Sequence, residues 1–538
     1  MKGLQFIQQK KPQQLAPERV DTACFVGFVN RRAGEIPQGI LQWLANRGWL
    51  HSAWADSELA TASRGNYRES ALDLRDVPVP IESWDEFDRL FEWEARAITS
   101  SLRCATWLGV AVKAFFAQGG RRCYVINAGE PFAYNMPREQ RVLRVQELLP
   151  GYAGSASANA NDRSSWRGIG HLFGLPEVSF LSVPDLVDIF RSDGTFLSAD
   201  VPPAPQPEEH FVECSQELPA AVLDSSLAGI EPPRYSEQDY QDWCTLAADI
   251  SDYIRSNFRE LQFVCSLPLP QKNEMLSRRS VLPFLYRSRG LDQPVWFSKS
   301  QSAPGRLESA FLQINYPWLK TAYDNRLPQG LEPGEGSLIG LLARNALIRG
   351  TFRSAVPVSA QLIVDVYPKL SLSHMSGLQR DLNAAGASDS LEDRISLWQI
   401  NANGKINLRS DVTTSANVLY RNASVGRAMA MILRYARHLG EDFIFERNGE
   451  KLWKHIRSRL SGYLNVLFQM GVLDGRNPAE AYTVRCDRST MSQQELDSGV
   501  VKAEVIVNIT ASLETMIIAF SVQGNNEPGI LAGAGGAA

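Results

Sequence analysis

Residues 111–129, AVKAFFAQGGRRCYVINAG, decide the fold class. The segment ends an apolar helical pattern that begins upstream: Trp84, Phe87, Leu90 and Phe91, then Leu102, Leu108, Val112, Phe115 and Phe116 recur at helical spacing over 82–118. Gly119-Gly120 stops that helix, because glycine ends helices readily and disfavours their interior. Cys123-Tyr124-Val125-Ile126 then reads as a buried strand. A helix feeding a buried strand is the repeating unit of an α/β sheet. Working outward, DTACFVGFV at 21–29 is a dense β run closed by the turn-like NRRAGEIP. On the other side, PGYAGSASANANDRSS at 150–165 is a small-residue loop, and VSFLSVPD at 178–185 is another strand run. A Pro-rich linker, VPPAPQPEE, occupies 201–209; 235–258 is helical, and LQFVCSLPL at 261–269 is again a buried strand. Helices and strands therefore alternate over about 20–350.

The last third has a different rhythm. Residues 425–439 place Val425, Ala428, Met429, Ile432, Tyr435, Ala436 and Leu439 on one helical stripe, and 450–470 do the same with Trp453, Ile456, Leu460, Tyr463, Leu464, Leu467 and Phe468. Such stripes pack cores. Two β runs follow, VVKAEVIVNI at 500–509 and LETMIIAFSV at 513–522, and the chain ends on QGNNEPGILAGAGGAA. At the other terminus, residues 1–20 are rich in Gln, Lys and Pro, with a short apolar start at Leu4, Phe6 and Ile7.

Composition excludes several classes. The 538 residues carry 55 Lys+Arg against 59 Asp+Glu, a net charge of −4, with 44% hydrophobic and 21% charged residues. That is an ordinary globular composition, and it lacks the positive excess of a strong nucleic-acid binder. Seven cysteines with no C-x-x-C pair argue against a disulfide framework or a structural zinc. There is no apolar signal core near the start and no run of 18 apolar residues, so the reading is a cytoplasmic chain. The charge is unevenly spread. From Arg421 to Arg459, nine Lys/Arg stand against four acids, a local +5 that leaves −9 elsewhere.

Chemistry is hard to find. The six histidines (His51, His171, His210, His374, His438, His455) are scattered, without partners at metal-ligand spacing. The segment EPGEGSLIGLLAR at 332–344 imitates a phosphate loop, but it lacks Lys and sets Glu332 and Glu335 where they would repel an anion. Asp411-Val-Thr-Thr-Ser and Cys486-Asp487-Arg488 read as buried polar structure. No catalytic, cofactor-binding or metal residue is assigned, and no cofactor is expected.

Taken together, several segments resemble the contractile tail-sheath family of phage tails, R-type tailocins and phage-tail-like injection systems. The likeness is strongest over SVGRAMAMILRYARHLGEDFIFERNGEKLWKHIRSRLSGYLNVLFQMGVLDG at 424–475 and NPAEAYTVRCDRSTMSQQELDSGVVKAEVIVNI at 477–509. Within it, the run from Glu480 through Cys486, Asp487, Thr490 and Asp497 to Gly499 follows a family pattern. Upstream, AVKAFFAQGGRRCYVINAG, PEVSFLSVPD (176–185), INYPWLK (314–320) and GSLIGLLARNALIRGTFRSA (336–355) match in the family's order. There are departures: MKGLQFI stands for the usual Pro-Gly-Val-Tyr start, Glu332-Pro333-Gly334-Glu335-Gly336 for a Pro-Pro-Ser-Gly turn, and Phe352-Arg353-Ser354-Ala355 for a Trp-Lys-Ala-Pro segment.

The resemblance implies an α/β and α+β multidomain chain with the tail-sheath fold: a C-terminal helix-plus-sheet core domain, an α/β outer domain and extended terminal arms. The expected divisions are an arm at 1–20, an α/β region at 21–355 with a possible inserted outer domain, a linker at 356–394, a C-terminal core at 395–512, an arm strand at 513–522 and a tail at 523–538. It implies a helical homopolymer of stacked hexameric rings, with an inner tube protein and baseplate and terminator or cap proteins as partners, and neither nucleic acid nor membrane insertion. Assembly would take place in a bacterial cytoplasm, before incorporation into a phage-tail-like particle. Arg427, Arg434, Arg437, Lys451, Lys454, Arg457 and Arg459 are then expected to face the tube. Leu4, Phe6 and Ile7, with Thr515, Met516, Ile517, Ile518 and Phe520, are expected to form inter-subunit strands. Two other readings stand beside this one: a cytoplasmic α/β enzyme with a reactive Cys486 near Asp487, and a sheath-related baseplate or terminator component.

Overall fold

The computed structural model describes residues 20–50, 72–193, 225–272, 307–322, 326–375, 391–415, 417–443, 446–497 and 499–510. Its longer strands are β1 (Ala23–Phe28), β2 (Pro78–Ile81), β3 (Cys123–Gly129), β4 (Phe180–Ser182), β5 (Gln262–Ser266), β6 (Leu312–Tyr316), β7 (Trp318–Thr321), β8 (Ile363–Tyr367), β9 (Ser396–Ile400), β10 (Ile406–Leu408), β11 (Tyr482–Arg485) and β12 (Glu504–Val507). The longer helices are α1 (Gln38–Asn46), α2 (Trp84–Leu90), α3 (Trp107–Ala117), α4 (Glu237–Asn257), α5 (Glu335–Ile348), α6 (Ala423–Phe443) and α7 (Glu450–Gln469).

Eight strands form one sheet in the order β10-β9-β6-β5-β4-β1-β3-β2. Six are mutually parallel, with registers such as Cys24 beside Tyr124 and Leu181, and Phe263 beside Leu312. Only the edges β2 and β10 run antiparallel. Every residue of β1, β3, β5 and β6 is buried. That explains their near-continuous apolar sequences, since a parallel sheet is covered on both faces. Pro78 and Pro80 lie in edge strand β2, where a missing N–H blunts further pairing. The opposite edge is covered, because Ala360 N–H donates to the Ile406 carbonyl and Leu408 N–H to Val358.

The helical periodicity over 82–118 resolves into two helices. Ser83 caps α2 by accepting from Glu86 N–H, and Thr106 caps α3 by accepting from Gly109 N–H. Two hydroxyl caps mean two helix starts, with short paired segments at 91–92, 96–97 and 103–104 between them. The strand expected after Gly119-Gly120 forms as β3, and Gly119 leaves α3 at φ +97°. Helix α5 lies against α3 so closely that a Cβ on Gly336 would stand 2.2 Å from the Ala111 carbonyl oxygen.

A second, smaller core joins α6, α7 and the β11–β12 pair through Ala428, Met431, Ile432, Leu460, Leu464, Leu467 and Leu473. Tyr435 and Tyr463 stack inside it at 3.9 Å. The two cores divide later than the expected boundary at 395. Strands β9 and β10 belong to the large sheet, and β8, from the segment expected to be a linker, pairs with β7. Val20 packs into the small core, so the chain enters the large sheet directly from it. Residues Leu4, Phe6, Ile7, Thr515, Met516, Ile517, Ile518 and Phe520 lie outside the described residues.

Candidate interaction surfaces

The thiol expected to be reactive under the enzyme reading is held protonated. Cys486 is buried, and burial with the neighbouring Asp487 carboxylate raises its pKa. Reactive thiols need the opposite environment. Asp487 itself caps a short turn by accepting from Ser489 N–H at 2.8 Å. The other described cysteines are also buried and free. No group of three His, Cys, Asp or Glu side chains among the described residues could hold a metal, and no described helix is long and apolar enough to cross a membrane.

The carboxyl ends of the parallel strands are where doubly wound sheets usually bind ligands, at the point where strand order reverses. Here that point lies between β1 and β4, and the chain's own side chains fill it. Asp188, fully buried, pairs with Arg96 and Arg191 and accepts from Trp107 Nε1–H at 3.0 Å. Burial alone would raise its pKa, but the Arg191 and Arg96 guanidiniums outweigh burial and hold it well below the usual carboxylate range. Asp185 accepts from Phe28 N–H at 2.9 Å, and burial pushes it up to about 7. Glu335 opens α5 and accepts from the Ser266 hydroxyl, and burial likewise pushes it up to about 7. The turn that imitates a phosphate loop is thus occupied by its own carboxyl group and by Ser266.

The basic span divides between two helices. On α6, Arg427 is 3% exposed. Its Nη1 and Nη2 lie 3.1 and 2.5 Å from the two Asp411 oxygens, and its Nε–H donates to the Thr351 carbonyl. Asp411 also accepts from Ala355 N–H and from the Gln313 amide, so the Asp411-Val-Thr-Thr-Ser segment is buried polar structure, as its sequence suggested. Arg434, also 3% exposed, donates to the carbonyls of Glu177 and Val178 and to Ser179 Oγ, and pairs with Glu260. Arg437 shares Glu260 at 2.9 Å and reaches the Pro176 carbonyl and Glu441. The expectation that Arg427 and Arg434 face outward therefore needs correction: they bolt the small core to the amino-terminal edge of the large sheet. Their seven-residue spacing does place them on one helix face, but that face turns inward, beside Ala428 and Tyr435.

Helix α7 is the opposite case. Lys451, Lys454 and Arg457 are exposed, and Arg459 is half-buried. The charged contact of Lys454 is a 3.7 Å pair with Glu450 one turn away, both side chains largely in water. Sequence reasoning grouped both helices as one basic face. It missed Glu260 and Asp411 as the partners that separate them. Glu260 carries no motif, whereas the Asp411 segment had already been read as buried and polar.

Next to α7, β11 and β12 form a two-stranded antiparallel sheet, with Val484 opposite Val505. Asn508 N–H donates to the Ala481 carbonyl and Thr510 N–H to Val472, so even-numbered residues direct their backbone groups toward the β11 side. By alternation, Val505, Val507 and Ile509 direct theirs to the other edge, which pairs with no described strand. Their side chains meanwhile pack on the small core, while Ile506, on the outer face, is 51% exposed.

No protein-family model matches the chain, and no curated protein matches it. Solved structures do. The fold is similar to a chain in the six-fold symmetrised cryo-EM structure of the anti-feeding prophage baseplate, with 14% identity, 97% of this chain and 99% of that one covered, and a TM-score of 0.53. It is similar to a chain of the same baseplate in the contracted state, at 14% identity, 97% and 98% coverage and TM-score 0.55. It is also similar to the anti-feeding prophage helical sheath in its contracted state, at 16% identity, 96% and 98% coverage and TM-score 0.50.

Proposed function

We propose that this chain is a structural subunit of a contractile sheath, which polymerises helically around an inner tube and shortens to drive that tube forward. One observation carries the reading. The fold follows a helical-sheath chain over nearly the whole length of both chains. An asymmetric interface that does not close generates a helical filament. The outward edge of β12 supplies one half of such an interface. A strand from a neighbouring subunit can add to it through backbone hydrogen bonds, and 513–522 is the segment with the required apolar β pattern. Leu4, Phe6 and Ile7 supply the corresponding segment at the amino terminus.

The tube-facing surface is then the exposed basic side of α7, with Lys451, Lys454, Arg457 and Arg459 set against an acidic tube. Contacts of this kind steer register and release without a large apolar penalty. Contraction moves subunits between two lattices, driven by a difference in contact free energy behind a kinetic barrier, and needs no nucleotide. The arginine bolts of α6 favour movement of the two cores as one body.

A second reading is a baseplate-proximal component of the same particle. Two of the similar chains come from structures of a baseplate, which motivates it. Negative-stain microscopy of the purified full chain, alone and with its tube protein, separates the two. Long striated tubes support the sheath subunit, closed rings support the baseplate component, and monodisperse monomers in both preparations contradict both.

A further inference from the structure

The dipeptide Asn-Gly occurs twice in the chain, at 403–404 and 448–449. The pair has a chemistry of its own. Glycine has no side chain to shield its backbone nitrogen, so that nitrogen can reach the side-chain carbonyl of the preceding asparagine. At 403–404 the nitrogen is already engaged. The Asn401 carbonyl accepts from Gly404 N–H at 3.0 Å, and Asn401 Oδ1 accepts from the N–H groups of Asn403 and Lys405, each at 2.9 Å. Gly404 is held at φ +73° in this turn.

At 448–449 the situation is reversed. Gly449 enters α7 in extended backbone, φ 172° and ψ 174°, and its N–H donates to none of the described residues. The space around it is open, since a Cβ there would meet no atom within 4 Å. Here the asparagine side chain is the engaged partner. Asn448 Oδ1 accepts from Trp453 Nε1–H at 2.8 Å, with both residues half-buried. That donor stands where negative charge gathers when a nucleophile adds to the amide carbon. The amino end of the 20-residue helix α7 acts in the same sense. The opposing charge is Glu450, an exposed acid 3.7 Å from Lys454.

We infer that Asn448 is a self-modifying residue. Gly449 N loses its proton and bonds to Asn448 Cγ, the Cγ–Nδ2 bond breaks, and ammonia leaves with that proton. Water then opens the resulting succinimide at one carbonyl or the other, leaving aspartate or isoaspartate at position 448. Nothing is oxidised or reduced, and water is the only co-reactant. The modification does not depend on the sheath reading. Its consequence does: the new carboxylate precedes Lys451 and Lys454 and reduces the positive charge set against the tube.

The test is incubation of the full chain at pH 8 and 37 °C in heavy-oxygen water, with peptide mass spectrometry counting conversion at each site. The Trp453 donor should be worth about ten-fold in rate, the equivalent of one hydrogen bond. Asn448 should therefore convert faster than Asn403, and Trp453→Phe should slow Asn448 by that factor while leaving Asn403 unchanged. Gly449→Ala, which the open space and extended backbone accommodate, should slow Asn448 further by hindering the nucleophile. In denaturant the two sites should convert alike. Faster conversion at Asn403 in the folded chain overturns the inference. So does a rate at Asn448 that is unchanged or raised in Trp453→Phe, unchanged in Gly449→Ala, or still ahead of Asn403 in denaturant.

Discussion

Helices α6 and α7 have similar lengths, both are basic and both are amphipathic, yet the structure uses their charge in opposite ways. The α6 arginines are buried against Asp411, Glu260 and a row of carbonyls. On α7, Lys451, Lys454 and Arg457 are exposed, with Glu450 one turn from Lys454 and Asp487 within electrostatic reach of Arg457. The difference lies in what each helix faces. Arginine can enter a core because its planar fork satisfies a carboxylate and several carbonyls at once. Lysine, a strongly hydrated point charge, stays at the surface unless it is paired. A count of positive charge along the sequence cannot distinguish a bolt from a docking surface.

That contrast can be tested from both sides. The largest expected effect is Arg427→Ala, which strands a buried Asp411. It should cost ~3–5 kcal/mol of stability, read by chemical denaturation of the full chain. Replacing Arg427 and Asp411 together by Met and Leu should cost far less, because no charge is left unpaired. Arg434→Ala comes next, at about 2 kcal/mol, since Arg437 still holds Glu260 while the Glu177 and Val178 carbonyls lose their donor.

The pH dependence of the large core sharpens the comparison from the other end of the sheet. Asp185 and Glu335 have pKa values raised to about 7 by burial, above their unfolded values near 4. The folded state binds more protons than the unfolded state in that window. Their stabilising contribution is therefore complete below about pH 4 and is lost as pH rises through about 7. Asp188 and Asp411, shifted the other way, are ionised in both states from about pH 5 upward and add almost no slope between pH 5 and 8. Denaturation midpoints should fall from pH 5 to pH 8, and Glu335→Gln should flatten the fall. A wild-type midpoint that rises over this interval would break the assignment.

The smallest effect on the isolated chain belongs to α7. Reversing Lys451, Lys454 and Arg457 together to Glu should leave the thermal midpoint unchanged while abolishing assembly on the tube, seen by co-sedimentation. Val507→Pro removes a backbone N–H directed at the free edge of β12 but none of the bonds to β11. Its expected outcome is a folded monomer that forms no long polymer, read by light scattering.

Much of the fold was legible in the sequence because buried parallel strands leave no choice of pattern. DTACFVGFV, CYVI and LQFVCSLPL are apolar at nearly every position and became β1, β3 and β5. The helical stripes at 425–439 and 450–470 became α6 and α7. The break between α2 and α3 was missed because the apolar spacing runs on across it; the hydroxyls of Ser83 and Thr106 were the available signal. The inward turn of Arg427 and Arg434 was not legible, because their partners lie 16 and 174 residues away along the chain and only the tertiary fold brings them together.

The most direct test of the account is a cryo-EM reconstruction of the full chain assembled with its tube protein. The account predicts a helical lattice with α7 on the inner wall, Lys451, Lys454 and Arg457 directed at the tube, a neighbour's strand on the open edge of β12, and the Arg427–Asp411 pair intact. A lattice with α7 on the outer surface, or with Arg427 withdrawn from Asp411 to reach the tube, would contradict it.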